Sequence, residues 1–251
     1  MNEPTRAHKT TGKPGTTAAA RAQFPVLPQA RHWLLLGALL CAAVVALGFT
    51  VQLLPGDAAT ELNVDQELSQ HHVAVLTAVA MAINLLFGPV AGLGLIAVIA
   101  VVVLLVRRDL AKAVAFGVVA CSGWVASEAF KLIVARQRPN PALLFDPLAP
   151  ETGSNSFPSG HVSFAVALAF ALYFLARRTR WSKLVAAAGA VMAVTVAWSR
   201  LYVGVHYPTD VVASFLAASA AVVLLAGLWN RYAPRLFDHL PAAFTTPSGR
   251  R

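Results

Sequence analysis

Three short stretches hold the residues able to do chemistry on an anion. The last of them in the chain is Ser199-Arg200-Leu201-Tyr202-Val203-Gly204-Val205-His206-Tyr207-Pro208-Thr209-Asp210. It lies between two long apolar runs and gathers a cation, an imidazole and a carboxylate in one loop. Loops held between rigid helices are a usual place for chemistry. Pro208 suits the first turn of a following helix, so Asp210 falls in that turn. His206 then sits just before the helix, within reach of the Asp210 carboxylate. A carboxylate on one ring nitrogen fixes the tautomer and leaves the other nitrogen as nucleophile or base. A plain polar turn between two spans explains a lone histidine equally well. Two upstream stretches tip the balance toward chemistry.

The second stretch is Ser156-Phe157-Pro158-Ser159-Gly160-His161, directly before an apolar helix. Ser159 is a natural N-cap, and Gly160 lets the backbone approach a ligand closely. The free N–H groups and dipole of a helix start favour an anion. His161 is one step from such an anion, placed to pass a proton. The first stretch is Lys131-Leu132-Ile133-Val134-Ala135-Arg136-Gln137-Arg138-Pro139. Lys131 and Arg138 are two helical turns apart, so on a continuing helix they share a face, and Pro139 ends that helix. Taken alone, the pair reads equally as cations snorkelling at a membrane boundary. Arg200 adds a planar fork suited to phosphate oxygens.

The elements that must position these residues are apolar helices. The 251 residues are 57% hydrophobic and only 12% charged, with mean hydropathy +0.64. Such a composition predicts a polytopic helical membrane protein. Residues 1–31 read as a polar, disordered tail. A first span covers Trp33 to Leu54 as an uncleaved anchor. Pro55 to Gln70 is a polar, acidic connection. An apolar stretch from His72 to Val106 follows, broken at Gly88-Pro89. Further spans are expected at Leu110 to Val134, Pro158 to Ala176, Leu184 to Trp198 and Pro208 to Trp229, within one membrane domain over residues 32–230. Residues 231–251 form a second tail. Cys41 and Cys121 fall inside apolar runs and imply packing, with no disulfide or metal framework. Small residues at Ala186 to Ala190 and at Ala213, Ser214, Ala217 and Ala218 suit close helix packing in lipid. Trp33, Trp181 and Trp229, with Trp198 at the other end, are placed as interface anchors.

Charge resolves the ambiguous 72–106 stretch. If it supplies one full span, the chain has six, and sixteen of the 20 basic residues fall on one side. Basic segments stay cytoplasmic, so both termini are expected inside, across a plasma (inner) membrane. Residues 72–87 become an interfacial or re-entrant helix, or the bent outer part of the second span. The four remaining cations, Lys131, Arg136, Arg138 and Arg200, converge outside with the histidines. The net charge of +9 is therefore topological, and no aromatic-interleaved groove points to nucleic acid. His71-His72 lacks a third ligand for a metal and reads as a pair of interface residues. Glu128 lies one turn before Lys131, where it can pair with that lysine.

Lys131-x6-Arg138-Pro139, Pro158-Ser159-Gly160-His161 and Ser199-Arg200-x5-His206-x3-Asp210 together resemble the three-part signature of the type 2 phosphatidic acid phosphatases. That family belongs to the superfamily of bacterial acid phosphatases and vanadium haloperoxidases. The resemblance runs from about the acidic connection to Trp229, and order, spacing and identity all match. It implies an all-α integral-membrane phosphatase acting on a lipid phosphate. Lys131, Arg138, Arg200, Ser159 and Gly160 would hold the phosphate. His206 would attack phosphorus, Asp210 would orient His206, and His161 would protonate the leaving alkoxide and then activate water. Most of the rate would come from positioning and charge stabilisation, with about 10²–10⁴-fold from His161. No cofactor or metal is expected, since the cations neutralise the phosphate and no acidic cluster for Mg²⁺ is visible.

Phosphatidic acid, phosphatidylglycerol phosphate and undecaprenyl diphosphate all fit the signature. A phosphotransferase passing the group to a lipid or sugar hydroxyl fits the same residues. A haloperoxidase with vanadate in the phosphate site fits poorly with six spans. A non-catalytic transporter or scaffold would carry charge near mid-membrane, where the spans hold none except Glu128. The oligomeric state is not legible.

Overall fold

The computed structural model describes residues 26–53, 55–149, 153 and 155–237. Those residues form eight α-helices: α1 (Trp33–Leu53), α2 (Pro55–Gln70), α3 (Ala74–Leu86), α4 (Pro89–Arg107), α5 (Leu110–Val134), α6 (Gly160–Ala176), α7 (Ser182–Tyr202) and α8 (Pro208–Phe237). A 3₁₀ turn at Pro141–Leu143 and an isolated antiparallel bridge between Gln137 and Asn155 lie in the long connection before α6. Local chemistry sets several boundaries. Pro89 opens α4, and the Asp109 carboxylate caps α5 by accepting from Lys112 N–H at 2.9 Å.

α6 is the hub, packed by α5, α7 and α8. Seven consecutive residues, Val162 to Leu168, are buried, so this helix is covered on all sides. Phe164 stacks on Trp124 of α5 at a ring separation of 4.0 Å, and Gly123 meets the Ser163 backbone directly. Ala213, Ala217, Ala218 and Ala220 on α8 are buried, and Gly189 on α7 abuts Ala169. The small residues of α8 thus do what their positions suggested, bringing backbones close where lipid offers no hydrophobic drive, whereas of the α7 set only Gly189 is buried and Ala186, Ala187, Ala188 and Ala190 are exposed. The outward faces stay apolar: Val90 is 88% and Leu132 82% exposed.

Five helices among the described residues, α1, α4, α5, α7 and α8, are long and apolar enough to cross a membrane. α6, with 17 residues, and α3, with 13, are apolar but shorter. The all-helical expectation therefore holds, while the sixth crossing is not established by length. α3 is a separate helix ending at the Gly88-Pro89 break, as the sequence suggested.

Four expectations change. The acidic connection is itself helical over α2. α5 stops at Val134 because Ala135 takes a left-handed conformation (φ 52°), so Lys131 and Arg138 do not share one helix and Pro139 does not end it. α8 continues past Trp229 to Phe237 with Pro234 inside it. The expected tail boundary at residue 31 moves back, because Leu27 is buried and its N–H and carbonyl both bond the Asn230 side chain at 2.9 Å. The rest of that tail, residues 1–25, and residues 238–251 lie outside the described residues.

Candidate active site

The connection after α5 is folded back onto the bundle. The Asn155 amide donates to the Lys131 carbonyl (3.0 Å), and Ser156 N–H donates to the Arg136 carbonyl (2.8 Å). Lys131, in the last turn of α5, bonds Glu128 at 2.7 Å. Its ammonium also stands over the start of α6: a β-carbon on Gly160 would sit 3.7 Å from Lys131 Nζ. Arg138 reaches into the third stretch. Its Nη1 donates to the Val205 carbonyl at 2.9 Å and to His206 Nε2 at 3.1 Å, while its Nε donates to the Gly153 carbonyl.

Ser159 is the N-cap of α6, as expected, but its side chain makes no capping bond. Its hydroxyl is buried and finds no hydrogen-bond partner among the described residues. The Ser159 N–H instead donates to Ser214 Oγ (2.8 Å), which donates to the Asp210 carbonyl (2.7 Å). Ser127 Oγ donates to the Pro158 carbonyl at 3.2 Å. The starts of α6 and α8 are thereby tied together. His161 Nε2 donates to the Asn84 carbonyl at 3.1 Å, and fully buried Arg200 donates to Asn84 Oδ1 at 2.6 Å. One residue of α3 therefore meets both groups.

The third stretch turns at Gly204 (φ 74°), where a β-carbon would clash with Leu144. His206 is 1% exposed and Asp210 fully buried. Asp210 occupies the first turn of α8, where its Oδ2 accepts the Tyr207 N–H at 2.9 Å and stands 3.6 Å from His206 Nδ1. A guanidinium has no acceptor, so the bond from Arg138 identifies His206 Nε2 as the unprotonated ring nitrogen, whose lone pair accepts that bond. The ring proton then resides on Nδ1, toward Asp210. Nε2 faces a cation and Nδ1 a carboxylate, the arrangement that an attacking imidazole requires.

Behind Asp210 is a buried cluster that inspection of the sequence missed. Arg136 Nη1 donates to Asp210 Oδ1 (2.8 Å), and its Nη2 donates to Glu61 of α2 (2.5 Å). Burial works against the Arg136 charge, but Asp210 and Glu61 outweigh it and push its pKa up. Asp65, one turn on from Glu61, is fully buried, and burial together with the Asp210 and Glu61 charges pushes its pKa up to about 8. Burial likewise raises the Tyr207 phenol. Asn84 had a faint signal, as a polar residue in an apolar run. Arg136 was placed only among the outward cations, and its pairing with Glu61 had no signal, because a contact between residues 75 apart leaves no local pattern. His71 and His72 are engaged elsewhere, His72 with Asp146 (2.8 Å) and the Tyr202 carbonyl (2.9 Å). No group of three or more metal-ligating side chains occurs among the described residues.

The helices and the charged end they share define an integral membrane protein with a polar site built from three connections. Residues 110–234 match the family model of the PAP2 superfamily. It is 36% identical to an undecaprenyl-diphosphatase of Sulfolobus acidocaldarius over 99 residues, which are 38% of this chain and 44% of that protein. It is 39% identical to phosphatidylglycerophosphatase B of Bacillus subtilis over 87 residues, 33% of this chain and 40% of that one. The matched part of this chain spans less than half the length of either relative. The fold is similar to the crystal structure of a transmembrane PAP2-type phosphatidylglycerolphosphate phosphatase from Bacillus subtilis. The TM-score is 0.67, at 24% identity over 78% of this chain and 96% of the other.

Proposed function

We propose that this protein is a membrane lipid phosphatase that hydrolyses a phosphate monoester or diphosphate of a lipid through a phosphohistidine. The observation that carries the reading is the line Arg138, His206, Asp210, with the cation 3.1 Å from Nε2 and the carboxylate 3.6 Å from Nδ1. In the first half-reaction the Nε2 lone pair forms a bond to phosphorus as the bond from phosphorus to the lipid oxygen breaks. His161 gives its proton to that oxygen. The ring, now bonded to phosphorus at Nε2 and still holding its Nδ1 proton, is cationic and faces Asp210. In the second half-reaction His161 takes a proton from water, whose oxygen attacks phosphorus and returns His206 to its neutral form. Lys131, Arg138 and Arg200, with the Ser159 hydroxyl and the Gly160 N–H, hold the phosphate oxygens. The unpaired, buried Ser159 hydroxyl supports that role.

α6 is the sixth crossing in this reading, α1 to α8 together form the catalytic domain, and both termini are cytoplasmic. The site opens on the outer face of the plasma membrane, where a lipid enters between helices. The names of the relatives favour undecaprenyl diphosphate or phosphatidylglycerol phosphate as substrate.

Purified protein in detergent, offered phosphatidic acid, phosphatidylglycerol phosphate and undecaprenyl diphosphate, is expected to release phosphate from at least one. His206→Ala abolishes turnover while the protein stays folded, and His161→Ala lowers it by about 10²–10⁴-fold. Substantial turnover by His206→Ala refutes the assignment. Product analysis separates hydrolysis from transfer to another hydroxyl.

A further inference from the structure

The proposed chemistry uses Asp210 but not the buried charges behind it. Arg136 is 4% exposed, yet it belongs to none of the phosphate contacts. Its Nη1 is shared between Asp210 Oδ1 (2.8 Å) and Thr209 Oγ1 (2.7 Å), and its Nη2 goes to Glu61. Glu61 is held in turn by the first turn of α8. It accepts the Thr209 N–H at 3.0 Å and the Thr209 hydroxyl at 2.9 Å. The guanidinium carbon stands over the Tyr207 ring, 4.1 Å from its centroid. The bonds run one way, from Arg136 to both carboxylates and from Thr209 to Glu61. α2, the connection after α5, and the start of α8 are thereby closed into one unit.

We propose that Arg136 and Glu61 are positioning residues for His206, which fix the Asp210 carboxylate and set the charge that the imidazole ring faces. The inference rests on the reading of His206 as the nucleophile. By occupying Oδ1, Arg136 stops the carboxylate from turning, and Oδ2 is left for the Tyr207 N–H and the His206 side. Glu61 orients the fork of Arg136 and balances its charge. With Asp65 protonated at neutral pH, the unit of Glu61, Arg136 and Asp210 carries one net negative charge. That charge matches the single positive charge that His206 acquires on bonding phosphorus. The other charged or titratable groups of the site are Arg138 at Nε2, Tyr207 beside the ring, Arg200 at the end of α7, His161 at the start of α6 and Lys131 at the end of α5.

Charge arithmetic gives opposite signs for the two partners. Removing the Arg136 cation makes the unit more negative, so its proton is held more tightly. Neutralising Glu61 leaves Arg136 less compensated, so the proton is held less tightly. A merely structural pair would change stability and leave the titration where it was. The experiment follows the His206 ring by ¹⁵N NMR in histidine-labelled full-length protein in micelles, the resonance being assigned with His206→Ala. Arg136→Gln is expected to move the titration midpoint up by about one pH unit or more, and Glu61→Gln down by about as much. Arg136→Lys returns the midpoint toward that of the unsubstituted protein. Phosphate release from phosphatidic acid, phosphatidylglycerol phosphate and undecaprenyl diphosphate is measured on the same samples. There kcat of Arg136→Gln falls about tenfold or more with KM little changed. Midpoints that stay put, or move the same way in folded variants of an active enzyme, overturn the positioning role alone. If Arg136→Gln yields no folded protein, isosteric Glu61→Gln decides by itself. An unsubstituted protein that releases phosphate from no lipid overturns the function, and the positioning role with it.

Discussion

Asp65 shows what the buried cluster costs. Both its carboxylate oxygens are buried and lack a hydrogen-bond partner among the described residues. Burial, then the charges of Asp210 and Glu61, raise its pKa from the ordinary 3.8 to about 8. Its folded-state pKa is thus above its unfolded value. The stability it contributes is complete below about pH 4 and is lost as pH rises through about 8. The thermal midpoint in detergent should therefore fall between pH 5 and pH 8.5. In Asp65→Asn that fall should be much shallower, with a gain on the order of a few kcal/mol at pH 8. A variant with an unchanged slope would mean that Asp65 is ionised in the fold. Residue identities in the three stretches were legible because spacing and chemical type coincide there. Asp65, Glu61 and Arg136 were not, since α2 meets the rest of the site only in three dimensions. Lys131, Arg136 and Arg138 are alike in sequence. Only the fold sends Arg136 inward to two carboxylates and Arg138 to His206.

The helices were mostly legible from apolar run length, and the exceptions share a cause. α2 is polar, so hydropathy passed it over, although it carries the two acids of the cluster. α5 ends early because the left-handed Ala135 turns the chain, and this turn rather than a shared helix face lets Lys131 and Arg138 approach the site separately. α8 runs on through Pro234, which the polarity after Trp229 concealed. Packing among the helices depends on small residues at defined contacts. On α5, a β-carbon at Gly123 would overlap the Ser163 carbonyl of α6, whereas one at Gly94 of α4 would meet nothing within 4 Å. Gly123→Val should thus destabilise the protein by at least about 1–3 kcal/mol through overpacking, and Gly94→Ala should be tolerated. Thermal unfolding in detergent checks both. Because Ser159 and Gly160 open α6, any tilt at Gly123 should also lower activity at temperatures where Gly123→Val remains folded.

At the scale of the whole molecule the polar site occupies one end of the bundle, and the distribution of charge decides which side of the membrane that end faces. The connection after α5, the start of α6 and the loop between α7 and α8 meet there, linked by Arg138 to His206 and by Ser159 to Ser214. Arg107 ends α4 and Arg108 follows it before α5, and Arg177, Arg178 and Arg180 lie between α6 and α7, at the opposite ends of α5 and α6 from the site. Short loops rich in Lys and Arg remain cytoplasmic, so the proposed reading expects the site to face outward. A model that counts α3 as a full span would reverse the later helices relative to the first, and 13 residues are too few for a crossing. The two alternatives differ at two exposed positions, Gln137 in the connection after α5 and Arg178 between α6 and α7. In a background with Cys41 and Cys121 replaced by Ser, Gln137→Cys should react with a membrane-impermeant maleimide on intact cells whose outer barrier has been removed. Arg178→Cys should react only after the membrane is opened. The reverse labelling would put the phosphate site in the cytoplasm and require a lipid phosphate presented from the inner leaflet. Labelling of both positions from one side would break the helix order itself, since α6 must then fail to cross.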